Sequence, residues 1–174
     1  QALQEYREYL KGIDRSKRTV DGYFLDLNFF HKWLQEKYNC PAYLEDITLD
    51  DIEDFLRMLK DERNYKPASR RRLSAAIKMF YKFAYKKKLC PEDIASQIES
   101  VKVVPKEREY ITEEETIDFI GAVSHKVCKI VIYTMFYAGL RVSECVNLRV
   151  EDVDLEKKLI KVIQGKGAKN RVVP

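Results

Sequence analysis

The segment P-A-S-R-R-R-L-S-A-A-I-K-M-F-Y-K-F-A-Y-K-K-K, residues 67–88, opens with a proline, closes with three lysines and holds neither a glycine nor an acid. Proline is excluded from a helix interior but suits its first turn, so one long helix is expected to begin at Pro67. At about 100° per residue, Leu73, Ile77, Phe80 and Ala84 fall within about 60° of one another, while Arg71, Lys78, Lys82 and Lys86 lie about 140–220° away from Leu73. One face of this helix belongs to a core, and the opposite face is basic.

From Lys66 to Lys88 the chain carries nine bases and no acid. An ordinary amphipathic helix also solvates its charged face, usually with both signs present. Here like charges four residues apart destabilise the helix by a few tenths of a kcal/mol each, a repulsion that a polyanion relieves. The basic face therefore points to nucleic acid. Residues 45–54 show the reverse pattern, six acids and no base, so the formal net charge of +4 conceals an electrically polar molecule. That acidic face also supports a minor reading as a helical adaptor.

Upstream, residues 2–11 and about 16–38 read as helices, the second from Val20, Phe24, Leu27, Phe30 and Leu34 at spacings of three and four. A third opens at Thr48, where T-L-D-D supplies a hydroxyl cap and an acid three residues on, and runs through Ile52, Phe55, Leu56 and Leu59. Downstream, a short helix follows Pro91. Helical periodicity is then lost in V-K-V-V-P-K-E-R-E-Y (101–110), which reads as a linker. Thr112 with Glu113, Glu114 and Glu115 forms a second capping box. The run around K-I-V-I-Y-T-M-F-Y-A, residues 126–138, is apolar and long enough for a helix buried at the centre of a second domain, with Tyr133 and Tyr137 as core residues.

Glycine and proline together make up eleven of 174 residues, about half the usual share, which disfavours an all-β sandwich and favours long helices. No stretch approaches the ~18 apolar residues of a membrane span, and the N-terminus shows no signal-peptide pattern, so a cytoplasmic protein without a membrane partner is expected. Cys40, Cys90, Cys128 and Cys145 lack the close pairing of metal ligands and read as buried small hydrophobes; no metal and no cofactor is expected.

Residues 137–154, Y-A-G-L-R-V-S-E-C-V-N-L-R-V-E-D-V-D, follow the apolar helix. Gly139 can make a turn that other residues resist, placing Arg141 at the start of a short helix with Val142, Cys145, Val146 and Leu148 inward and Glu144 on Arg141's side. L-I-K-V-I-Q (159–164) then reads as a strand, G-K-G-A-K-N (165–170) as a turn with Lys166 at its tip, and R-V-V (171–173) as the return strand.

The run A-G-L-R-V-S-E-C-V-N-L, then D-V-D-L, then G-K-G-x-K-x-R-x-V-P resembles the front half of the catalytic domain of tyrosine recombinases, the phage integrase family, and most closely its Xer branch. The resemblance is dense over 133–174 and looser upstream, through Y-F-L-D-L-N-F-F-H-K-W-L and R-R-L-S-A-A-I-K-M-F-Y-K-F. It implies a mainly α chain: a four-helix core-binding domain at 1–104, then at 105–174 the N-terminal part of an α+β catalytic domain that carries a β-hairpin. It also implies site-specific DNA recombination through a 3′-phosphotyrosyl intermediate, with Arg141 on the scissile phosphate, Lys166 as the hairpin lysine that protonates the leaving oxygen, and Glu144 in support. The partner implied is double-stranded DNA, bound by a homotetramer spanning two sites. On the second and fourth helices, Arg18, Thr19, Tyr23, Arg70, Arg71, Arg72, Lys78 and Lys82 are the candidate DNA contacts.

The family completes its site with an H-x-x-R motif and a tyrosine nucleophile after the hairpin. Neither His31 nor His125 is followed by an arginine three residues on, and none of the 11 tyrosines follows the hairpin. The 174 residues are therefore expected to be catalytically incomplete. A non-catalytic DNA-binding regulator or decoy at recombination sites is the alternative.

Overall fold

The computed structural model describes residues 1–105, 107, 109–163 and 170–174. The chain divides into two compact units, Gln1–Lys106 and Glu107–Pro174. Among the described residues there are eight α-helices and one small antiparallel sheet. No helix among the described residues is long and apolar enough to cross a membrane.

The first unit is built on α1 (Ala2–Gly12), α2 (Lys17–Tyr38), α3 (Leu49–Asp61), α4 (Pro67–Lys86) and the single turn α5 (Ile94–Gln97). Ser16 caps α2 and the Thr48/Asp51 capping box starts α3, while Pro67 occupies the first turn of α4. The apolar stripes of these helices meet in one core, where Tyr6, Leu10, Leu34, Ile52, Phe55, Leu59, Leu73 and Ile77 are buried. Aromatic rings knit it together: Phe30 lies 4.9 Å from Phe55, and Tyr6 lies 5.3 Å from Phe80.

The acidic segment is partly consumed inside this unit. Asp51 accepts from Lys37 Nζ at 2.8 Å and from the Tyr38 hydroxyl, and Asp54 accepts from Lys37 at 2.9 Å. Burial pushes the Asp51 carboxyl up, but these donors together with Thr48 outweigh it and hold the group below the usual range. The C-terminus of α2 is thus tied to the start of α3.

The second unit contains α6 (Glu113–Ala122), α7 (Lys126–Tyr137), α8 (Val142–Val146) and strands β1 (Val153–Asp154), β2 (Leu159–Val162) and β3 (Arg171–Val173), ordered β1-β2-β3. The Thr112/Glu115 capping box starts α6. β2 and β3 are the two expected strands; β1, only two residues long, is an addition. The turn residues 165–169, including Lys166, lie outside the described residues.

Three expectations are corrected here. α7 has no buried residue: Val127 and Ile130 are 61% and 64% exposed, and Tyr133 and Tyr137 are exposed too, stacked on each other at 6.0 Å. Apolar composition stated what α7 would bury, not whether a neighbouring element lies against it. On α8, Val142 and Val146 face solvent, and the buried side chain is Glu144, because its ion pairs turn that face inward. Of the cysteines only Cys90 is buried; Cys40 and Cys128 are exposed and Cys145 is intermediate.

Candidate phosphate site and nucleic-acid interface

Gly139, at φ +64°, makes the left-handed turn that ends α7 and delivers Arg141 to the start of α8. The backbone N–H of Arg141 donates to Glu144 Oε2 at 2.8 Å, and its Nη1 donates to Oε1 at 2.8 Å. Glu144 thus holds the arginine at both ends. The Arg141 side chain remains 55% exposed, and Nη1 is its one hydrogen-bonded guanidinium nitrogen among the described residues. Among the described residues nothing engages the rest of the fork, which suits an anion.

Arg171 completes the cluster. In the β2–β3 register it sits opposite Val162, and cross-strand partners share a face, so the buried Val162 and the Arg171 side chain leave the sheet on the same side. From there Arg171 donates Nη1 to Glu144 Oε1 at 2.8 Å and Nη2 to Oε2 at 2.7 Å. Each oxygen of Glu144 therefore accepts two hydrogen bonds, close to the capacity of a carboxylate. The Arg171 guanidinium, the Arg141 backbone and the Arg141 side chain hold the Glu144 carboxyl well below the usual range, against the opposing effect of burial. Such a carboxylate stays ionised at neutral pH and orients cations; it is unsuited to moving protons.

Arg171 was not among the residues singled out from the sequence. Its signal was present, since it is the arginine of G-K-G-x-K-x-R-x-V-P, but nothing in spacing alone pairs position 171 with position 144. Of the three expected catalytic residues, the structure joins Arg141 and Glu144, whereas Lys166 lies outside the described residues. His125 instead serves as the cap of α7, its Nδ1 accepting from the Cys128 N–H at 3.4 Å.

In the first unit, α2 packs on α4 and the expected DNA contacts sort into free and engaged groups. Arg18, Arg71 and Lys82 are exposed and form no ion pair among the described residues. Lys78 donates to the Ile98 carbonyl at 3.1 Å, and Arg72 donates to Asp26 at 2.6 Å. Arg70 is half-buried with Nε lacking a partner among the described residues. Thr19 shares a 2.8 Å hydroxyl contact with Ser16, and Tyr23 is half-buried against the core. Exposed arginine and lysine side chains such as Arg18, Arg71 and Lys82 suit phosphate oxygens.

Known proteins place this architecture. The profile of the phage integrase N-terminal SAM-like domain matches residues 3–88, and that of the phage integrase family matches residues 109–174. Tyrosine recombinase XerD of Haemophilus influenzae is 30% identical over 169 residues, covering 94% of this chain and 54% of its own. Tyrosine recombinase XerA of Pyrococcus horikoshii is 31% identical over 175 residues, covering 99% of this chain and 55% of its own. The chain thus spans about half the length of the curated relatives it matches. Among solved structures, a lambda integrase tetramer bound to a Holliday junction shares the fold, with a TM-score of 0.76 over 99% of this chain and 49% of that one, at 19% identity. From residue 3 to residue 174 the sequence and the fold agree: the chain belongs to the phage integrase family of tyrosine recombinases.

Proposed function

We propose that the complete protein is a site-specific DNA recombinase acting in the cytoplasm. In this reading residues 1–104 are the helical DNA-gripping domain, and residues 105–174 are the front part of the catalytic domain. The observation that carries it is the Arg141–Glu144–Arg171 cluster, which fixes one guanidinium while leaving most of its donors open.

Arg141 holds the scissile phosphate, since its planar fork matches two phosphate oxygens and neutralises the charge that grows on them in the transition state. A tyrosine hydroxyl of the complete protein gives up its proton to a base there, and its oxygen forms a bond to phosphorus as the bond to the 5′-oxygen breaks. Lys166 gives that departing oxygen its proton, and rejoining reverses the steps. Glu144 and Arg171 touch neither nucleophile nor leaving group; they position Arg141. In the first unit, Arg18, Thr19, Tyr23 and the basic residues of α4 contact the duplex. A tetramer on two duplexes is the assembly that fits, as the lambda integrase structure illustrates for that protein.

The test uses the complete protein and a nicked suicide duplex that traps a covalent protein–DNA adduct. An adduct is expected, is lost in Arg141→Ala, and is not formed by the 174 residues alone. A complete protein that binds the duplex yet never forms an adduct contradicts the recombinase reading.

A further inference from the structure

Asp26 differs from every other acid of the first unit. It lies on α2, is 3% exposed and caps no helix; its one hydrogen-bond partner among the described residues is Arg72 of α4, at 2.6 Å. Asp51, the other buried acid of that unit, is used up by the start of α3 and by Lys37. Burial pushes the Asp26 carboxyl above the ordinary aspartate range, and Arg72 only partly draws it back. A buried ion pair is a poor source of stability compared with apolar packing. Its distinctive effect is to fix the orientation of the exposed partner.

Arg72 is that partner. Its side chain is 56% exposed, and Nη1 is its one engaged nitrogen among the described residues. Thr19, Tyr23 and Asp26 recur at spacings of four and three on α2, so the side chain that anchors Arg72 shares a helix face with two of the candidate DNA contacts.

Phosphate contacts and base contacts ask different things of an arginine. A phosphate needs net positive charge, which the Arg141 cluster keeps because Arg171 offsets Glu144, and for anchoring on the duplex backbone it tolerates a mobile side chain. A base edge needs a fork in a fixed orientation toward neutral acceptors, the commonest case being arginine on O6 and N7 of guanine. Asp26 offsets the charge that a phosphate contact would use and supplies the fixed orientation that a base contact needs. Arg71 and Lys82, which are exposed and pair with no acid among the described residues, have the opposite properties.

We propose that Asp26 is a positioning residue that presents Arg72 as the base-reading arginine of α4, directed at a guanine edge, while Arg71 and Lys82 anchor the phosphates. This rests on the reading that α4 faces duplex DNA.

The experiment selects binders from a library of randomised duplexes with the 174-residue chain, with Asp26→Asn and with Arg72→Gln, whose amide suits adenine rather than guanine, and then measures affinity for the selected and for an unrelated duplex. Asn keeps an acceptor in the buried position but not the charge that holds Arg72, and Arg72→Gln alters an exposed side chain, so at least one variant keeps the fold; melting curves check both. The wild type is expected to enrich guanine at one position of the site. Both variants lose that preference, the ratio of selected to unrelated affinity falling roughly 5- to 150-fold. Retained guanine preference in the variants, an equal loss on both duplexes, or a wild type without any preferred base overturns the proposal. A wild type that binds no duplex at all overturns the DNA reading itself, and the proposal with it.

Discussion

Arg171 grips the Glu144 carboxylate with both terminal nitrogens, at 2.8 and 2.7 Å, and so links the return strand of the hairpin to the helix start that carries Arg141. Strand β3 lies 27 residues beyond Glu144 in sequence, yet it supplies half of that carboxylate's hydrogen bonds.

Glu144→Gln is expected to loosen Arg141 without removing α8. The amide of Arg141 then donates to a neutral oxygen instead of a carboxylate, and hydrogen bonds to charged acceptors are roughly twice as strong. Amide hydrogen exchange at Arg141 should accelerate about five- to tenfold, while amides of α4 keep their rates. Unchanged exchange at Arg141 would show that the carboxylate charge does not hold it.

Acid should act on the same cluster. Because the folded-state pKa of Glu144 is depressed, its contribution is complete above the unfolded value of about 4.3 and is lost as pH falls from there through the lower folded value. Urea midpoints of wild type and Glu144→Gln should differ at pH 7 and converge toward pH 3. A gap that stays constant down to pH 3 would contradict the assigned ion pairs.

Asp26 carries the opposite sign. Its raised folded-state pKa gives stability below the ordinary aspartate range that is lost as pH rises through the folded value. Asp26→Asn is therefore expected to melt at or above the wild-type temperature at pH 7, with the wild type gaining on it as pH falls toward 4. A large drop in melting temperature at pH 7 would show instead that the pair is a main support of the fold.

Two substitutions separate core from turn. Phe55→Ala removes a fully buried ring in contact with Phe29, Phe30 and Trp33, and should lower the stability of the first unit by about 3–5 kcal/mol in urea titration. Gly139→Ala meets no steric neighbour but forces a side chain into φ +64°, which should cost the second unit about 1–2 kcal/mol.

Much of this was legible in the sequence because it is local. The capping boxes at Thr48 and Thr112, the proline at the start of α4, the turn at Gly139 and the pairing of Arg141 with Glu144 all depend on residues within four positions of one another. What escaped is non-local. No local pattern sets Asp26 apart on α2, because its partner Arg72 lies on α4, and Arg171 needs the β2–β3 register before it can face Glu144. The exposure of α7 belongs to the same class, since hydrophobicity is a property of the helix and burial a property of its surroundings.

The basic face of α4 is most directly tested by the affinity of the 174-residue chain for an unrelated DNA duplex measured across salt concentration. If three or more cations neutralise phosphates, the logarithmic slope should be about −3 or steeper, at roughly 0.9 per phosphate. Arg71→Ala and Lys82→Ala should each make it shallower by about 1. A slope near zero, or one that neither substitution moves, would contradict the account.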